Sequence, residues 1–147
     1  MTDNDSLVGV AQRRTELEVA MQLVERQAAA PSATADWQRD LLAAVQRLER
    51  AVHQHITHVE APGALLEDIL ERAPRLQRAV ENTRTHHAVL AHALADLVKL
   101  LTAGDGDPAP IGEIRAGVIE ILNELALHRQ DGADLIYEAF DVDIGGY

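Results

Sequence analysis

The sequence contains no cysteine. That absence excludes a disulfide framework, a thiolate zinc site, a cysteine-ligated iron–sulfur cluster and a cysteine nucleophile. Aromatic residues are nearly as scarce: one tryptophan, two tyrosines and one phenylalanine. So few cannot build the stacking platforms that hold single-stranded nucleic acid, nor most β-sandwich cores. Basic residues are outnumbered, with 13 Lys plus Arg against 24 Asp plus Glu and a formal net charge of −11. Such a balance argues against nucleic acid or an anionic membrane surface as a partner. No stretch approaches the roughly 18 uninterrupted apolar residues of a membrane span. The opening Met-Thr-Asp-Asn-Asp-Ser is acidic and lacks the basic and apolar regions of a secretory leader. A cytoplasmic protein is the expectation.

What remains is a chain of 147 residues, 47% apolar, enough to bury the core of one domain spanning residues 1–147. Runs with period two are few, and helical periodicity dominates. The first helix is predicted over about residues 6–28, with a stripe of Leu7, Val10, Leu17, Met21 and Val24, behind a short disordered lead of about residues 1–5. The second begins near Thr34 with Asp36 in its first turn, where the helix dipole favours an acid. Its stripe is Leu41, Val45, Leu48, Val52, His55 and Val59; Pro62-Gly63 interrupts it before Leu65, Leu66, Ile69 and Leu70. The third runs from about Arg75 to Thr102 through Leu76, Val80, Thr83, His87, Leu90, Leu94, Leu97 and Leu101. The fourth runs from about Ala109 to Phe140, started by Asp107-Pro108, through Ile114, Val118, Ile121, Leu125, His128, Gly132, Leu135 and Ala139. The tail over residues 141–147 breaks the pattern and is expected to pack back on the bundle beside Tyr137 and Phe140. Four amphipathic helices with short connections predict an all-α, up-down-up-down four-helix bundle.

Seven histidines are present, and three of them fall on stripes that the Leu, Val and Ile positions define. His55, His87 and His128 lie on three different helices. Counted from the intervening loops at roughly 1.5 Å per residue, His87 and His128 differ by about one turn and His55 and His87 by a little more than one, so the three imidazoles can converge in the middle of one bundle. A lone histidine on an apolar stripe is usually a hydrogen-bonded core residue. Three at one level share a need for partners that a single metal ion satisfies. Glu60 follows His55 by five residues and comes inward if Pro62-Gly63 rewinds the helix end, while Asp131 lies three residues after His128 and Asp134 stands on its flank. His58, three residues after His55, is a candidate ligand or orienting group, whereas His53 points outward and His86 neighbours His87. There is no Glu-x-x-His motif, so the ferritin-type carboxylate signature is missing.

The segments His55-Ile-Thr-His58-Val-Glu60, Asn82-Thr-Arg-Thr-His-His87 and His128-Arg-Gln-Asp131-Gly-Ala-Asp134 resemble the hemerythrin-like, histidine–histidine–glutamate cation-binding family. The stretch from His128 to Gly146 is similar to the end of actinobacterial members. The resemblance implies a non-haem di-iron site that binds dioxygen, nitric oxide or peroxide, with His55, His87 and His128 as terminal ligands and Glu60 and Asp131 or Asp134 as bridges. This chain departs from the family in having no histidine on the first helix and Ala91 where a second histidine of the third helix is expected. By its level, Gln12 or Glu16 stands nearest the site on the first helix, and Glu16 is a candidate oxygen ligand.

Three readings follow. One is a sensor or carrier of a small diatomic ligand or peroxide, holding iron, or zinc or manganese in a mixed nitrogen and oxygen site. The second is a metal-free helical interaction module in which a hemerythrin-like site has degenerated. The third is a peroxide-consuming di-iron enzyme, although the chain shows no nucleophile–base pair or phosphate loop. The oligomeric state stays open.

Overall fold

A computed structural model describes residues 3–102 and 109–141. Five α-helices account for most of them: α1 (Asp3–Ala29), α2 (Trp37–Glu60), α3 (Leu65–Arg72), α4 (Gln77–Thr102) and α5 (Ile111–Phe140), with a single 3-10 turn at Pro74–Leu76. The described residues contain no strand, and none of their helices is long and apolar enough to cross a membrane. The four long helices pack as a closed ring in which α1 and α4 each contact both α2 and α5.

Helix boundaries follow local chemistry. Helix α1 begins at Asp3, ahead of the expected residue 6, so residues 3–5 are helical rather than a disordered lead. Helix α2 starts at Trp37 rather than near Thr34, because Thr34 is used in a turn: its hydroxyl donates to the Pro31 carbonyl and its own carbonyl accepts from Trp37 N–H. The break at Pro62-Gly63 is sharp. Ala61 turns extended and Gly63 adopts a φ of 73°, a left-handed conformation that only glycine takes without a steric penalty. Proline also shapes the start of the next long segment, where Pro74 opens the 3-10 turn before α4. Helix α5 is preceded by Pro110 and not by Asp107-Pro108, which lies outside the described residues, as does the tail over 142–147. Its far end closes on Asp141 in the left-handed region, whose N–H donates to Tyr137 O.

Two clusters of apolar side chains fill the ring. The larger includes Leu17, Val24, Leu41, Leu48, Leu90, Leu94, Ile114 and Leu125. The smaller joins Val59, Leu76, Val80, Leu135 and Ile136 to the α3 residues Leu65, Leu66 and Ile69, so that α3 caps one end of the bundle. Each fully buried side chain of this size contributes about 1.5–3 kcal/mol. On α2, α4 and α5 the boundary between the clusters falls between Val52 and Val59, between Val80 and Leu90, and between Leu125 and Leu135. His55, His87 and His128 stand in those three gaps.

Candidate metal centre

The polar layer between the two clusters consists of imidazoles. His55, His87 and His128 are 5%, 1% and 2% exposed, and these are the polar or charged residues buried among those described. His128 Nε2 lies 3.2 Å from His87 Nε2 and 3.3 Å from His55 Nε2. The ring planes are inclined to one another by 62° to 89°, so nitrogen-bearing edges converge and faces do not stack. Among the described residues this trio alone brings three metal-ligating side chains together.

Protons satisfy such a cluster poorly. Glu60 Oε1 lies 3.2 Å from His87 Nδ1, the ring nitrogen that faces away from the cluster. A carboxylate there favours a proton on Nδ1 and leaves Nε2 with its lone pair. The Nδ1–H direction misses the ideal hydrogen-bond line, so this enclosed atom has a charge partner but no well-aligned acceptor. With His87 Nε2 an acceptor, His128 Nε2–H can donate to it, yet the same N–H must also face His55 Nε2 at a similar distance. One proton cannot serve three converging nitrogens well. A metal ion can: tetrahedral bonds of about 2.0–2.1 Å place nitrogen ligands about 3.3–3.4 Å apart, close to the separations seen here.

Electrostatics keeps the donors neutral. Burial holds His128 down to about 2 and His55 down to about 3, with the neighbouring imidazoles adding to the effect in both. Burial also lowers His87, against the opposing pull of Glu60. Neutral imidazole is the ligating form.

The acids expected around this centre are arranged differently. Glu60 ends α2 and lies against His87 Nδ1, on the far side of the ring from Nε2. Asp134 is exposed and accepts from Gln130 Nε2 at 3.0 Å, one turn away on its own helix. Asp131 is exposed at the rim of a groove of about 390 Å³ between α4 and α5, lined also by Asn82, Thr83, His86, Leu127 and His128. Glu16 faces out and pairs with Arg47 at 3.2 Å, and Gln12 is exposed. His58 is exposed and its Nδ1–H donates to Gln54 O, 2.7 Å away on the preceding turn. Of the nitrogen and oxygen donors expected, the described residues bring together the three imidazoles alone.

The surrounding layer adds residues that the stripes alone do not select. His86 lies with its ring centroid 5.3 Å from that of His128, and its Nε2–H donates to Glu124 at 2.9 Å. Glu124 precedes His128 by four residues and so shares its face of α5, a spacing present in the sequence. On α1, the positive charge of Arg13 adds to the burial and the neighbouring imidazole that disfavour a proton on His55. No family model, curated protein or solved structure matches the chain.

Proposed function

We propose that the chain is a hemerythrin-like, up-down-up-down bundle that holds one divalent transition metal ion on the Nε2 atoms of His55, His87 and His128. It binds a small ligand, of the class of dioxygen, nitric oxide or peroxide, at the position the three imidazoles leave open. The observation that carries this reading is the convergence of three buried imidazoles, with His128 Nε2 at 3.2 and 3.3 Å from the Nε2 atoms of His87 and His55 and the three ligand atoms within 4.8 Å of one another. Imidazole donors suit iron and zinc, whereas manganese prefers oxygen ligands that this trio does not offer. The resemblance to the di-iron family supports the histidine positions, but the placement of Glu60, Asp131, Asp134 and Glu16 favours one ion over two. A bound ion would polarise its small ligand; the chain's own part is to hold three imidazoles in register and to shut bulk water out with the two apolar clusters.

Metal analysis of protein purified without an affinity tag tests the reading, together with the absorption spectrum in air and under nitric oxide. One equivalent of iron or zinc is the expected result. A second reading, the metal-free interaction module, rests on the same Nε2 separations, which also fall within hydrogen-bond range. Absence of metal, combined with no uptake of added Fe2+ or Zn2+, would establish it.

A further inference from the structure

The imidazole layer is closed along the bundle axis, because the larger apolar cluster lies on one side of it and the smaller, with α3, on the other. The way to the centre is therefore from the side, between two helices. Grooves of about 590 Å³ between α1 and α5 and about 410 Å³ between α2 and α4 have none of the three histidines in their walls, and each carries a guanidinium, Arg129 in the first and Arg50 in the second. The groove of about 390 Å³ between α4 and α5 differs: His128 itself stands in its wall.

From its rim to that wall, the α4–α5 groove offers metal-ligating side chains in series. Asp131 stands exposed at the rim, three residues after His128 on the same face of α5. His86, from α4, lines the same groove; its side chain is 21% exposed and its ring centroid lies 5.3 Å from that of His128. Glu124 accepts from His86 Nε2–H at 2.9 Å, which leaves the lone pair of this ring on Nδ1 and makes the ring a better donor to a cation. The described walls of the groove hold no lysine or arginine. A cleft lined by one sign of charge concentrates its counter-ions and speeds their capture. Desolvation gives the series its use. A divalent ion stripped of all its water at once incurs a large cost. Exchanging waters in turn for a carboxylate and an imidazole lowers the barrier at each step.

We propose that the α4–α5 groove is the route by which a divalent cation is loaded into the centre, with Asp131 capturing the hydrated ion and His86, braced by Glu124, passing it inward past His128. The proposal rests on the metal reading above and deepens it. Asp131 and His86 do not join the imidazole trio; their part is in the rate of loading and not in the final affinity.

Apo protein is mixed with Co2+ in a stopped-flow instrument, where the visible bands of the bound ion report uptake, and an excess of chelator then reports release. The variants are His86→Phe, which keeps a ring and removes its nitrogens, and Asp131→Asn. Asp134→Asn, at an exposed acid of α5 outside the groove, is the control for overall charge. Uptake should slow about tenfold in His86→Phe and in Asp131→Asn. Release should slow by the same factor, so that the Co2+ dissociation constant is unchanged, and Asp134→Asn should load at the wild-type rate. Asp131→Asn, at an exposed position, tests the route whatever His86→Phe does to packing. Wild-type rates in both groove variants overturn the route and leave the metal reading intact. Equal slowing in Asp131→Asn and Asp134→Asn also overturns it, because net charge alone would then be acting. So does a weakened affinity at an unchanged uptake rate, which would make these residues supports of the centre itself. If the wild type takes up no Co2+, the metal reading fails and the route with it.

Discussion

Stripped of metal, the protein should lose stability as the pH falls from 7 to 5. Burial pushes His55 down to about 3 and His128 down to about 2 in the folded state, while in the unfolded chain each returns to the ordinary histidine value near 6.5. The unfolded state therefore binds more protons below about pH 6.5, and the stability contributed by keeping these rings neutral is complete above that value and lost progressively toward the folded values. Over the interval from pH 7 to 5 the linkage amounts to roughly 2 kcal/mol for each histidine, about 4 kcal/mol for the pair. His87, also lowered, acts in the same direction. Against a total of about 5–15 kcal/mol for a domain of ordinary stability, this is a large fraction. The interval stops short of the range near pH 4 where exposed carboxylates titrate. Urea unfolding followed by circular dichroism, in the presence of a chelator shown to strip the metal, measures the effect at half-unit steps of pH. His128→Gln removes one buried imidazole and should reduce the slope by about one proton. A denaturation midpoint independent of pH between 7 and 5, or a slope identical in His128→Gln, would refute the claim that the native state holds these rings neutral.

Other consequences are open to direct measurement. His87→Ala and His128→Ala should each lower metal content, with His53→Ala, on an exposed helix face, unchanged by elemental analysis; full stoichiometry in both site variants would contradict ligation by the trio. Glu60→Gln should weaken metal binding by about tenfold or more, because the carboxylate behind His87 Nδ1 orients the ring and raises its basicity; an unchanged dissociation constant by competition with a chromophoric chelator would remove Glu60 from the site. Metal at a hundredfold excess over Kd should raise native stability by about 2.7 kcal/mol, read as a higher melting temperature that the chelator reverses. Leu94→Ala, in the larger cluster and away from the imidazoles, should cost about 2–5 kcal/mol and leave metal stoichiometry intact; loss of metal in this variant would show that the centre depends on general packing.

The placement of the three histidines was legible before any tertiary structure, because helical periodicity is local. Leu90 and Leu94 fix the inward face of α4, and His87 lies on it by spacing alone. The same holds for His55 between Val52 and Val59 and for His128 after Leu125. The level of the three followed from counting residues away from the loops. The first helix was harder to read. Its expected stripe was drawn through Leu17, Met21 and Val24, whereas the buried face runs through Leu17, Ala20, Val24 and Ala28; Leu7 and Val10, also assigned to it, lie outside the described side chains. Alanines carry little hydrophobic signal, so the stripe was drawn rotated toward Met21; Glu16 was placed near the site by its level alone, and it faces out to pair with Arg47. The acids depended still more on tertiary contacts. Glu60 lies about as far before the turn at Ala73-Pro74 as His87 lies after it, which sets the level of the two, but the contact itself depends on where α2 ends and how α4 packs beside it. Sequence periodicity sets which face of a helix is buried. Only the packing of α1 against α2 and α5 decides which polar side chain that face delivers to the centre, since rotation of a helix about its axis is a property of its neighbours.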